Sequence, residues 1–142
     1  MSDPHYVDTN VILSLVEEDP NYEKAIRIRD IRNLVTGEVT VLELNSFYSR
    51  KLKDEIKAKA AALYSLKFSD VRVTEVDWNR LLRKSEELSL RLQLKTLDIL
   101  QISSATLIGA PYFLTFDKDI LGKKELVKMY TGIEVNELSK LG

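Results

Sequence analysis

Asp8, Glu43, Asp98 and Asp117 stand at four places where the chain changes character. Asp8 follows the apolar pair Tyr6-Val7 and precedes Thr9-Asn10 and a new apolar run. Asp117 ends the run Tyr112-Phe113-Leu114-Thr115-Phe116, and Asp98 opens a long helical pattern. Glu43 lies inside Val39-Thr40-Val41-Leu42-Glu43-Leu44, an apolar setting that makes a carboxylate costly unless something pairs with it. Brought together, the four make an oxygen-ligand site for a hard divalent cation. That is the core of a metal-dependent phosphodiesterase.

Each acid also has a plainer explanation. Asp8 starts the helix that follows it, and Asp117 caps a turn before Ile120-Leu121. Asp98 lies in the first turn of its helix, where the dipole favours a negative charge by ~0.3–1 kcal/mol. Glu43 completes Thr40-Val41-Leu42-Glu43, a capping-box pattern. Two features weigh for the joint reading. Asp8 and Asp117 both follow strand-like runs, and Asp98 and Glu43 both sit among apolar residues, where a simple cap has no need to be.

The elements that must position these groups alternate along the chain. Short strands are expected at His5–Val7, Leu34–Thr36, Val71–Val76, Tyr112–Phe116 and Ile133–Val135. Helices are expected at Asn10–Glu18, Asn21–Ile31, Thr40 to about Leu52, Asp54–Phe68, Trp78–Leu90, Thr96 to about Gly109, and around Lys123–Met129. Asp77 and Thr96 read as N-caps, and Gly109-Ala110-Pro111 as a helix stop. Strands alternating with helices imply a three-layer α/β/α domain with a parallel sheet of about four or five strands. In such sheets ligands sit beyond the carboxyl ends of the strands, which places Asp8 and Asp117 in one crevice.

The 142 residues suit one domain spanning 1–142, and 44% hydrophobic with 30% charged residues is a globular mix. A net charge of −1 provides no bulk basic field for nucleic acid. The absence of cysteine excludes disulfides, thiolate catalysis and cysteine-ligated zinc, and fits a cytoplasmic location. The apolar stretch Val11–Val16 is short and runs into Glu17-Glu18-Asp19, so neither a signal peptide nor a membrane span is expected.

Four segments together resemble the motifs of PIN domains. They are Tyr6-Val7-Asp8-Thr9-Asn10-Val11-Ile12-Leu13, Val41-Leu42-Glu43-Leu44, Leu97-Asp98 followed by Ile102-Ser103-Ser104-Ala105, and Leu114-Thr115-Phe116-Asp117-Lys118-Asp119. The resemblance covers roughly residues 6 to 135. It implies a Mg²⁺- or Mn²⁺-dependent endoribonuclease similar to a VapC-type toxin, with RNA as substrate and a small antitoxin as partner. In that pattern Asp8, Glu43, Asp98 and Asp117 are the acidic quartet, with Asp8, Asp98 and Asp117 as metal ligands. Asn10 and Thr115 match positions that support the first and last acids. Asp119 ranks as an outer member of the cluster. Many such relatives carry His three residues after the third acid, where this chain has Gln101. The first two helices, apolar through Val11, Ile12, Leu15, Val16, Ala25 and Ile26, are expected to serve either a homodimer interface or the core.

Arg50 follows Glu43 by seven residues, hence on nearly the same helix face, and is a candidate contact for an RNA phosphate. Trp78 and Tyr112 are expected in the core, and His5 is expected to be structural. Two rival readings share the fold class. A phosphoacceptor receiver domain would show an acidic pair at its first strand, whereas Asp8 is followed by Thr9-Asn10, and it has no role for Glu43. A non-catalytic interaction module would have no use for an intact quartet.

Overall fold

The computed structural model describes residues 2–138. Strands β1 (His5–Val7), β2 (Leu34–Thr36), β3 (Arg72–Val73), β4 (Tyr112–Leu114) and β5 (Glu134–Asn136) form one sheet in the order β3-β2-β1-β4-β5. Every neighbouring pair is parallel, so each connection must cross over, and helices supply the crossings. Helices α1 (Thr9–Glu17) and α2 (Tyr22–Ala25) join β1 to β2. Helices α3 (Glu38–Leu52) and α4 (Glu55–Ser69) join β2 to β3, and α5 (Trp78–Leu92) and α6 (Thr96–Ile108) join β3 to β4. The last crossing uses α7 (Lys118–Leu121) and α8 (Lys124–Thr131).

Alternation along each strand divides the apolar residues between two faces. Val7, Leu34 and Leu114 pack under α1, α3 and α4 with Val11, Ile12, Leu15, Leu44, Ala58 and Ala62. Tyr6, Val35 and Phe113 pack under α5, α6 and α8 with Leu88, Leu92, Ile99, Ile102 and Val127. Each such buried aliphatic or aromatic side chain contributes about 1.5–3 kcal/mol. The result is the expected three-layer α/β/α arrangement with a five-stranded parallel sheet. Val11, Ile12, Leu15 and Ala25 are fully enclosed in this core, while Ile26 remains exposed.

Several boundaries differ from the sequence reading, each for a local reason. The helix expected at Asn21–Ile31 ends at Ala25 and tightens into a 3-10 turn, Ile26–Asp30. The strand expected at Val71–Val76 pairs only through Arg72 and Val73, because its one neighbour, β2, is itself three residues long. Helix α3 begins at Glu38, directly after Gly37, so Thr40 lies inside the first turn and the capping box does not form. Lys95, not Thr96, occupies the cap position of α6. Asp77 does cap α5, accepting from the Arg80 N–H at 3.3 Å, and Gly109 ends α6 with φ 85°. Trp78 is not in the core but 47% exposed. Tyr112 is half-buried, stacked on His5 with ring centroids 4.5 Å apart, at the end of the strands opposite Asp8.

Gly37 answers a packing demand rather than a conformational one. Its φ of −104° suits any residue. A Cβ there would lie 2.9 Å from the Tyr6 hydroxyl and 3.1 Å from Ser104 Cβ. The missing side chain lets β2 turn into α3 against β1 and α6. The strand order reverses between β1 and β4, and the crevice beyond this switch point is where such sheets bind ligands.

Candidate active site

Asp8 is the first residue after β1 and the N-cap of α1, its Oδ1 accepting from the Thr9 N–H at 2.8 Å. Asp117 follows β4 and caps α7, its Oδ1 accepting from the N–H groups of Asp119 at 2.8 Å and Ile120 at 3.3 Å. Asp98 stands in the first turn of α6 and Glu43 in the second turn of α3. These four carboxylates line one cleft of about 200 Å³ at the β1–β4 switch point. Capping and cleft formation are therefore not alternatives: Asp8 and Asp117 do both.

Asn10 and Thr115 lock the two strand ends together. Thr115 Oγ1 donates to Asp8 Oδ2 at 2.8 Å and accepts from the Asp117 N–H at 3.0 Å. Asn10 Nδ2 donates to the same Asp8 oxygen at 3.2 Å, while its Oδ1 accepts from the Phe116 N–H at 3.1 Å. The register of β1 against β4 is thus tied to the position of the first acid.

Glu43 is held by a buried polar chain that the sequence reading missed. The Gly37 N–H donates to the Tyr6 hydroxyl at 3.0 Å, and that hydroxyl donates to Gln101 Oε1 at 2.5 Å. Gln101 Nε2 then donates to Glu43 Oε1 at 2.6 Å, and Thr9 Oγ1 donates to the same oxygen at 2.7 Å. The direction follows from one end. Burial pushes the Tyr6 phenol up to about 12, so it keeps its proton. It donates that proton along its short bond to Gln101 Oε1. With its Oε1 turned to Tyr6, the Gln101 amide presents its NH₂ to Glu43. The sequence did carry a signal: a polar residue one turn after Asp98, amid apolar neighbours.

Gln101 is 2% exposed, so cutting this chain leaves polar groups buried without partners. Gln101→Leu is expected to destabilise the fold by about 1–3 kcal/mol in thermal or urea unfolding. Loss of less than a few tenths would show that Glu43 and Tyr6 find other partners.

The carboxylates are crowded. Burial pushes Asp8 up to about 7, with Glu43 and Asp98 adding to the rise and the Thr115 hydroxyl opposing it. Asp98 rises to about 6, first through burial, then through Asp117 and Asp119, against the pull of Lys95. Oxygens of Asp98, Asp117 and Asp119 lie within 4.8 Å of one another. Asp119 thus belongs to this cluster with Asp98 and Asp117, while Asp8 and Glu43 line the neighbouring cleft outside that trio. An all-oxygen donor set of crowded carboxylates suits a hard cation, whose charge would relieve the crowding. Arg50 lines the cleft from α3, its Nε donating to the Ser46 carbonyl at 3.1 Å.

Comparison with solved structures bears on the fold. Among the solved structures that share the fold are three toxin–antitoxin proteins. VapBC-1 of nontypeable Haemophilus influenzae matches at TM-score 0.69 and 15% identity, over 96% of this chain and 99% of that one. VapBC2 of Rickettsia felis, bound to a promoter DNA fragment, matches at TM-score 0.66 and 14% identity, over 94% and 97%. VapC20 of Mycobacterium tuberculosis, a sarcin-ricin loop cleaving toxin, matches at TM-score 0.64 and 20% identity, over 82% and 92%. No curated protein sequence matches significantly. The sequence model of the PIN domain matches residues 5–125, which include all four carboxylates, Asn10, Gln101 and Thr115. With that match and the shared fold, the chain belongs to the PIN domain family.

Proposed function

We propose that the chain is a Mg²⁺- or Mn²⁺-dependent endoribonuclease and the toxin of a toxin–antitoxin pair, acting as one domain. The observation that carries this reading is the meeting of Asp8, Glu43, Asp98 and Asp117 in one cleft at the sheet's switch point. Asp98, Asp117 and Asp119 would hold the cation, with Asp8 bordering it. A bound divalent cation supplies charge neutralisation at a phosphodiester and a more acidic water.

The chain's own groups supply the rest. Glu43 takes two hydrogen bonds on Oε1, which leaves Oε2 to accept a proton from an attacking water. Gln101 and Thr9 hold that carboxylate still, and Thr115 and Asn10 fix Asp8. Arg50 offers a guanidinium to an RNA phosphate at the rim. The likeness in fold to toxin–antitoxin complexes supports a small antitoxin as partner. A second copy of the chain belongs to the same reading, supported by apolar Ile56 and Leu63, which α4 leaves in solvent. Among the described residues no helix is long and apolar enough to cross a membrane.

The direct test is cleavage of single-stranded RNA by the purified chain. EDTA is expected to abolish it, and excess Mg²⁺ or Mn²⁺ to restore it. Cleavage that persists after thorough chelation would sink the metal assignment; no cleavage with either ion would sink the nuclease itself.

A further inference from the structure

A second groove, of about 340 Å³, opens beside the acidic cleft. Its walls are apolar, from Val39 and Leu42 of α3, Leu97 and Leu100 of α6, and Trp78 at the start of α5. Glu43, Arg50 and Leu97 line both hollows, so one runs into the other. Helix α5 buries the stripe Leu81, Ser85, Leu88 and Leu92. Trp78 precedes that stripe by three residues, on the same side but past the edge of the core. Its ring stays half in solvent, and Leu42 and Leu97 beside it are 59% and 53% exposed. No hydrogen bond among the described residues uses the indole N–H.

We infer that this groove is a subsite for an unstacked nucleobase flanking the scissile phosphate, with Trp78 as its stacking surface. The inference rests on the nuclease reading above and adds to it the part of the substrate that is recognised. Single-stranded RNA is commonly held by aromatic side chains under splayed-out bases. A phosphodiester seated at the carboxylates carries its neighbouring base straight into the hollow that shares Glu43 and Leu97. Arg50 is the one cation among the residues lining either hollow, and it stands at their junction, where the intervening phosphate charge must pass. A flat indole between aliphatic walls, with charge confined to the mouth, suits a base with its sugar-phosphate turned outward. A protein segment is the other conceivable occupant. The groove's continuity with the carboxylates favours the substrate itself.

Trp78 is the chain's one tryptophan, so indole emission reports this groove alone. The experiment mixes the full chain with a single-stranded oligoribonucleotide in Mg²⁺ and follows emission before turnover, alongside steady-state cleavage. Emission is expected to fall on mixing. Trp78→Ala is expected to raise KM by about 5- to 100-fold with kcat little changed, and Trp78→Phe to retain most of the affinity. An oligoribonucleotide with an abasic residue next to the cleaved bond should bind wild type and Trp78→Ala alike. Cleavage by Trp78→Ala at wild-type KM, or indole emission unmoved by RNA that is being cut, overturns the subsite and gives the groove to another occupant. Wild type that cuts no RNA in Mg²⁺ or Mn²⁺ overturns the nuclease reading, and the subsite with it.

Discussion

Asp8→Asn is expected to silence RNA cleavage while leaving the fold intact. The carboxylate touches Thr9, Asn10 and Thr115 and faces Glu43 and Asp98 across the cleft. Replacing outer-sphere partners of a metal site typically costs 10–100-fold. Losing a member of the acidic quartet itself should cost roughly 100-fold or more in kcat/KM. The fold should survive because asparagine keeps most of the same bonds. Its carbonyl can still accept from Thr115 and Asn10, whereas its NH₂ then faces the Thr9 N–H and the cap bond is lost, at about 1 kcal/mol. Metal response separates a site from a cap. Cation at a hundred times its Kd stabilises the folded state by ~2.7 kcal/mol. Mg²⁺ should therefore raise the wild-type Tm and raise that of Asp8→Asn less. Equal Mg²⁺ shifts together with unimpaired cleavage would remove Asp8 from the site.

How much of this was legible before the fold was known depended on whether a residue's environment is set locally. Asp8 and Asp117 end apolar runs of strand type, and strand ends in a parallel sheet share an edge, so their meeting could be read from pattern alone. Asn10 and Thr115 came from the resemblance to PIN domains, whose pattern places supporting polar residues there. Gln101 was different. Its partners are Tyr6, on a strand 95 residues away, and Glu43, 58 residues away, and no local pattern ties a glutamine to either. Trp78 misled for a related reason. Aromatic residues at helical spacing from a buried stripe are usually buried too, but here the stripe runs past the edge of the layer it covers. The capping box at Thr40 failed because Gly37 lets the chain turn a residue or two earlier than the pattern suggests. Asp119 ranked in the sequence as an outer member of the cluster, below Asp117. Yet the short helix α7 swings it back toward Asp98.

The metal-free protein is expected to lose stability as pH rises from about 4 to about 7, opposite to the usual behaviour of salt-bridged carboxylates. An acid whose folded pKa is raised stays protonated in the fold after the unfolded chain has released its proton. Over that interval the unfolded state binds fewer protons, so stability falls with pH. Asp8 moves from the ordinary 3.8 to about 7. Three units correspond to a penalty on the order of 4 kcal/mol, absent below pH 4 and complete above pH 7. Asp98, raised to about 6, adds in the same direction over a narrower window, with less weight because it is only half-buried. Glu17 acts elsewhere. Burial pushes its carboxyl up, but Lys51 and Tyr48 more than offset this and hold it below 4.5, so its stabilisation is lost only as pH falls beneath that value. The same figures predict a crossover for Asp8→Asn. Near pH 8 the mutation removes about 4 kcal/mol of penalty and loses about 1 kcal/mol of capping, so the variant should be the more stable. Near pH 4 only the capping loss remains, and wild type should lead. Saturating Mg²⁺ should reverse the wild-type slope, because a cation binds the ionised carboxylates and competes with protons. Urea unfolding across this range, in EDTA for the first two and in saturating Mg²⁺ without chelator for the third, measures all three. Parallel wild-type and Asp8→Asn curves would show that Asp8 carries no buried charge for a metal to relieve.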